Sequence, residues 1–192
     1  MRIPGTLNVA LTLSVAAACG GALWLASHGT AWQMLLAAVM FSLVGNTMFS
    51  LLHESVHGIA HANARVNEAI GTLAAVFFPT ALSLQRVFHL GHHAHNRTVH
   101  EQFDYIGPHD RPWLKRAQWY AILTGVYWVF VPLGGVAYLL APSLFTRLGA
   151  RGQGGVAVQT GASSMFGGLE RAPRMRIRAE LLFTMAAQAA LA

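Results

Sequence analysis

Long apolar runs alternate with short polar breaks along this chain, and the run lengths set the first expectation. Residues 8–26 are apolar and carry no charge, enough for one helical crossing of a bilayer. Ser27-His28-Gly29-Thr30 reads as a tight polar turn. Residues 31–52 form a second uncharged run of 22 residues, about 33 Å long as a helix. Together they predict an antiparallel helical hairpin. Residues 68–84 are weaker, broken by Pro79, and are expected to lie in the interface or dip into the protein. Residues 85–116 are polar and charged. Residues 117–141 are apolar again, rich in Trp and Tyr, with Pro132-Leu-Gly-Gly in the second half. A Gly-, Ser- and Arg-rich loop covers 142–178, and 179–192 start a fourth apolar segment. The expected fold is all-α: multi-pass transmembrane helices with a cytoplasmic His-rich helical region. One domain over 1–192 is expected, with spans near 8–26, 31–52 and 117–141 and the start of another at 179–192.

Composition supports the membrane reading. Hydrophobic residues make up 54% and charged residues 10%, against about 25% charged in an ordinary soluble domain. The mean hydropathy is +0.44. The net charge of +6 comes mostly from loop arginines, which fits loops facing an anionic cytoplasmic leaflet. No basic stripe is interleaved with aromatics, so no nucleic-acid partner is expected. Cys19 is the only cysteine, which excludes an intrachain disulfide and a cysteine zinc site. Its surroundings loosely resemble a lipoprotein cleavage site, but only Arg2 supplies a positive leader, so the segment is read as a retained span. Arg65, Arg86, Arg97, Arg111, Lys115 and Arg116 place the His-rich region in the cytoplasm by the positive-inside rule. Arg147, Arg151, Arg171, Arg174, Arg176 and Arg178 say the same of the later loop. One crossing between them cannot satisfy both clusters, so the topology of 117–178 stays open: the segment enters and returns near Pro132, or one cluster breaks the rule.

The candidate chemistry lies in the histidines. Eight of the ten fall between His53 and His100. The first cluster is His53-Glu-Ser-Val-His57-Gly-Ile-Ala-His61; the second is His89-Leu-Gly-His92-His93-Ala-His95-Asn96. On a helix, His53, His57 and His61 would share one slowly drifting stripe. His89 with His92 or His93 repeats the one-turn spacing. Adjacent His92 and His93 diverge by about 100° and can address two different ions. Asn96 could be a weak ligand or donate to one. Imidazole binds iron, zinc and copper, and two spaced clusters beside apolar segments favour a metal site over interfacial or pH-sensing histidines. His53-Glu54-Ser-Val-His57 also matches H-E-x-x-H, the zinc protease motif with Glu as general base. A zinc-dependent membrane protease is therefore the alternative, although it leaves the second cluster unexplained.

HESVH followed by HLGHH resembles the first two histidine boxes, H-x-x-x-H and H-x-x-H-H, of the integral membrane fatty acid desaturase and hydroxylase superfamily. The context is similar too. The first box ends a transmembrane helix, and the second follows about thirty residues later and runs into Asn96-Arg-Thr-Val-His. Gln118-Trp-Tyr-Ala-Ile-Leu-Thr-Gly-Val-Tyr-Trp and Arg176-Ile-Arg-Ala-Glu-Leu-Leu look like bacterial members, which implies a bacterial inner membrane. The resemblance implies two iron ions, O2 as oxidant, a membrane lipid or acyl-chain substrate, and electrons from a small ferredoxin-like or similar carrier protein. Carried over by position, the metal ligands are His53, His57, His89, His92 and His93. His61 and His95 fall outside the boxes. Asp104 is expected to cap a helix, and Glu54 to hydrogen-bond a ligand imidazole. No catalytic residue beyond the ligands is assigned. The third box, another H-x-x-H-H, is absent, and no histidine follows His109. The expectation is therefore an incomplete N-terminal portion of a desaturase, inactive by itself, or else a non-catalytic truncated membrane protein. Hydroxylases and ketolases share the boxes, so the outcome of C–H attack stays open.

Overall fold

The computed structural model describes residues 3–95, 106–108, 111–123, 126–145, 147 and 168–191. Asn96, Asp104, His109 and much of the Gly- and Arg-rich loop lie outside them. The principal helices are α1 (Gly5–His28), α2 (Ala31–Val56), α3 (Ala64–Phe77), α4 (Leu82–His95), α5 (Pro112–Leu123), α6 (Val126–Leu140) and α7 (Arg174–Leu191). The described residues contain no strand, so the all-α expectation holds among them. Two helices, α1 and α2, are long and apolar enough to cross a membrane, or up to three spans if the bent pair α3 and α4 counts as one. Residues 117–141 divide between α5 and α6, and α6 runs through Pro132 without a break. Two compact units result: residues 1–82 with 175–192, and residues 83–174.

The first unit is built on the α1–α2 hairpin. Thr30 starts α2 with a capping box: its backbone N–H donates to Gln33 Oε1 at 2.8 Å, and its hydroxyl accepts from the Gln33 N–H. Most side chains of both helices face outward, including Leu13, Trp24, Leu35, Val39 and Leu43. An apolar solvent is the one that tolerates such a surface. The inward face is small and close-packed. Val15, Cys19, Met48, Leu52 and Val56 meet Ala74, Ala75, Val76, Phe77 and Leu82 in one core, against which Ala187 and Leu191 of α7 also pack.

Asn63 caps α3 by accepting from the N–H groups of Arg65 at 2.9 Å and Val66 at 3.4 Å. Farther along, α3 approaches α2 so closely that only glycine fits. A Cβ on Gly71 would lie 2.7 Å from both Ser55 Cβ and Leu82 Cδ1. Mid-helix Gly→Ala ordinarily stabilises by about 0.5–1 kcal/mol. Here Gly71→Ala is expected to destabilise by about 1–3 kcal/mol, the usual cost of overpacking. Denaturant unfolding in mixed micelles checks the sign; a stabilised variant would rule out the close approach.

The α3 helix stops at Phe77 because Pro79 has no N–H to give the Ala75 carbonyl. That carbonyl instead accepts from the N–H groups of Phe78 and Thr80, both at 3.2 Å. The carbonyls this break leaves over are met from α7. Gln188 Nε2 donates to Val76 O at 2.8 Å, and Thr184 Oγ1 to Thr80 O at 3.0 Å. Nearer its start, α7 holds α3 through an Arg176–Glu68 ion pair, while Arg176 also reaches Glu180 at 2.8 Å.

In the second unit α4 carries the second histidine cluster, α5 packs against α6, and Tyr138 is buried beside Phe145 with ring centroids 5.7 Å apart.

Candidate metal centre

In the first unit, the last turn of α2 presents His53 and, at its C-cap, His57. The two are one turn apart, and their half-buried rings lie edge to face with centroids 4.7 Å apart. The helix ends here for a local reason. Gly58 has φ +76°, the left-handed conformation that glycine adopts at least cost. The Gly58 N–H donates to Ser55 O at 3.1 Å, and the Ile59 N–H to Glu54 O at 3.0 Å. These two bonds form a Schellman motif. Glycine after the second histidine therefore fixes where α2 stops and which way His57 faces.

That geometry corrects one expectation, the stripe of three histidines. Helix α2 continues past the uncharged run and through Val56, so His53 is a helical residue and His57 its cap. His61 is not on the stripe of His53 and His57. Beyond the Schellman turn, its Nδ1 accepts from the Asn63 N–H at 2.9 Å, and its ring packs against Gly5 at the start of α1. Among the described residues, the Glu54 carboxylate makes no hydrogen bond to His53 or His57. Phe49, one turn before His53, lies 6.4 Å from its ring and 5.0 Å from Phe78, centroid to centroid, so apolar rings border this pair.

In the second unit, α4 places His89 and His93 one turn apart with ring centroids at 4.5 Å. Their Nε2 atoms are 2.9 Å apart. Without an ion, one ring donates its N–H and the other accepts. The same spacing suits a shared ion: two nitrogens about 2.1 Å from one metal, at a right angle, are about 3.0 Å apart. His92 stands off from the pair, with its ring 6.2 Å from that of His89 and 5.8 Å from that of His93. It therefore points in a different direction, as adjacent helical residues must. Four histidines, His53 and His57 in one unit and His89 and His93 in the other, could hold metal. The donor set is wholly imidazole, which suits iron among other first-row metals and contains no thiolate to select zinc.

Two residues that brace the turn after the first pair carry no motif in the sequence. Asn67 of α3 and Asn8 of α1 both bond to the turn that carries His57. Their signal was visible as isolated amides at the edges of apolar segments, but their partners are distant backbone groups.

Comparison with known proteins agrees with the histidine pattern. The family model for fatty acid desaturase matches residues 30–154, a stretch that holds both histidine pairs. No curated protein and no solved structure matches the chain.

Proposed function

The chain belongs to the fatty acid desaturase family, and on that premise we propose that it serves the O2-dependent, di-iron oxidation of lipid acyl chains, with desaturation as the outcome. The observation that carries the proposal is the pair of one-turn histidine couples, His53 with His57 and His89 with His93, inside the family match. A zinc protease would use the first couple and Glu54 and leave the second couple idle, so it is not favoured.

In the proposed site, His53, His57, His89, His92 and His93 offer neutral imidazoles. Bound iron supplies the activation of O2 and the oxidising power to break an unactivated C–H bond, which redox-inert zinc lacks. The electron balance requires a partner. The acyl chain gives up two electrons and two protons, a small electron-transfer protein gives two more electrons, the solvent gives two more protons, and O2 leaves as two waters. The chain's own residues position and shield. The α2 cap aims His57, Phe49 and Phe78 keep the approach to His53 apolar, and the outward faces of α1 and α2 hold the site against the lipid that contains the substrate. The proposed location is a bacterial inner membrane with both histidine clusters on the cytoplasmic side.

The test is the acyl composition of cells that express the protein. The expected change is acyl chains lighter by one H2, only when O2 is present. Chains heavier by one oxygen atom would turn the proposal towards hydroxylation. Unaltered lipids together with peptide cleavage that is lost in Glu54→Gln would replace it by the protease.

A further inference from the structure

Between α2 and α3 the chain turns through residues 57–63, and one residue inside the turn is held from both sides. Ala60 is completely buried. Its N–H donates to Asn67 Oδ1 at 3.0 Å, and its carbonyl accepts from Asn8 Nδ2 at 2.8 Å. Asn67, only 3% exposed, turns its remaining amide back to α2 and donates to Ser55 O at 3.0 Å. One side chain thus ties the residue two before His57 to the residue three after it. The amide orientation is fixed by its partners, since the oxygen meets an N–H and the nitrogen meets a carbonyl.

The turn has its own hydrogen bonds from the Schellman motif, so it needs no amide in order to form. What the Asn67 clamp adds is restraint on the peptides that flank His57. A cap residue lies at the frayed end of its helix, where the ring would otherwise wander. A metal ligand has to be held within about 0.5 Å. We propose that Asn67, with Asn8 in support, is a positioning residue for the His53–His57 couple, setting the backbone of His57 so that both imidazoles meet one metal ion. The inference rests on the metal-binding reading above.

The experiment is Co2+ titration of the chain in lipid nanodiscs, followed by the visible d–d spectrum and by EPR. Helix content by circular dichroism is recorded alongside. Wild type is expected to bind Co2+, and His57→Ala to weaken binding and change the spectrum. With helix content unchanged, Asn67→Ala is expected to lower Co2+ affinity about 10–100-fold, the range for residues that orient ligands, and to shift and broaden the d–d bands. Asn8→Ala removes one bond at a half-buried site without opening the core. It is expected to move the spectrum in the same direction by less, and it serves as the reporter if Asn67→Ala does not fold. Asn46→Ala, on the exposed face of α2, is the control and should match wild type. Wild-type spectra and affinity in both Asn67→Ala and Asn8→Ala, with His57→Ala defective, would overturn the positioning role and leave the metal reading standing. Failure of wild type itself to bind Co2+ or iron would overturn both.

Discussion

Replacing His93 by alanine is expected to abolish lipid oxidation and to strip metal from its site. Orienting residues alone are worth about 10–100-fold in metal affinity or activity, so a direct ligand should exceed about 100-fold. His89→Ala should do the same, because the two Nε2 atoms converge to 2.9 Å and neither imidazole can replace the other. The contrast that gives the prediction its force is Glu54→Gln. In a zinc protease this glutamate is the general base and its loss is fatal, whereas His89 and His93 would be dispensable. For lipid oxidation the order reverses. Glu54 makes no hydrogen bond to His53 or His57 among the described residues, so Glu54→Gln should leave activity within the same order of magnitude. Metal content by mass spectrometry and acyl composition by gas chromatography read both variants. An active His93→Ala beside an inactive Glu54→Gln would sink the desaturase assignment.

The hairpin was legible because an uncharged run of sufficient length has few other stable states in a bilayer. The course of the chain after His57 was not. The regular spacing of His53, His57 and His61 suggested one continuing stripe, but a left-handed residue stops the helix between the second and the third. Gly58 was the stop signal, and recognising it would have put His57 at the cap and taken His61 off the stripe. The one-turn spacing of His89 and His93 carried straight into three dimensions because intrahelical geometry is local. Asn8 and Asn67 show the opposite case. Asn8 bonds to Ala60, 52 residues away, and Asn67 to Ser55, 12 residues away. A lone amide beside an apolar run reads as a boundary until the fold shows which carbonyl it serves. The part played by 179–192 was hidden in a similar way. Thr184 and Gln188 stand one turn apart in the uncharged run 181–192, and a polar pair on one face signals a partner without naming it.

That pair supports the second large prediction, the loss of stability on removing it. Pro79 breaks α3, and Val76 and Thr80 are left with carbonyls that α7 side chains satisfy at 2.8 and 3.0 Å. Thr184→Val keeps the shape of a buried side chain and removes only its donor. Gln188→Leu does nearly the same. A buried carbonyl left without a partner costs about 1–3 kcal/mol in a water-soluble protein. In a bilayer, side-chain hydrogen bonds between helices average about 0.6 kcal/mol, because the unfolded chain also finds partners there. These carbonyls sit at a helix break, so the larger range should apply in part. The double variant is expected to lose about 2–4 kcal/mol. The single losses should not add, since both donors serve one four-residue break. Thr184→Ser keeps the hydroxyl and should retain most of the stability. Unfolding in mixed micelles measures all four proteins against wild type. A double variant within about 0.5 kcal/mol of wild type, the usual range for surface changes, would show that α7 does not cap the break. Their hydrogen bonds go to Thr80 and Val76, not to the turn held by Asn67. Metal affinity per folded molecule should therefore stay at the wild-type value while stability falls, which separates the helix that closes the break from the asparagines that aim the histidines.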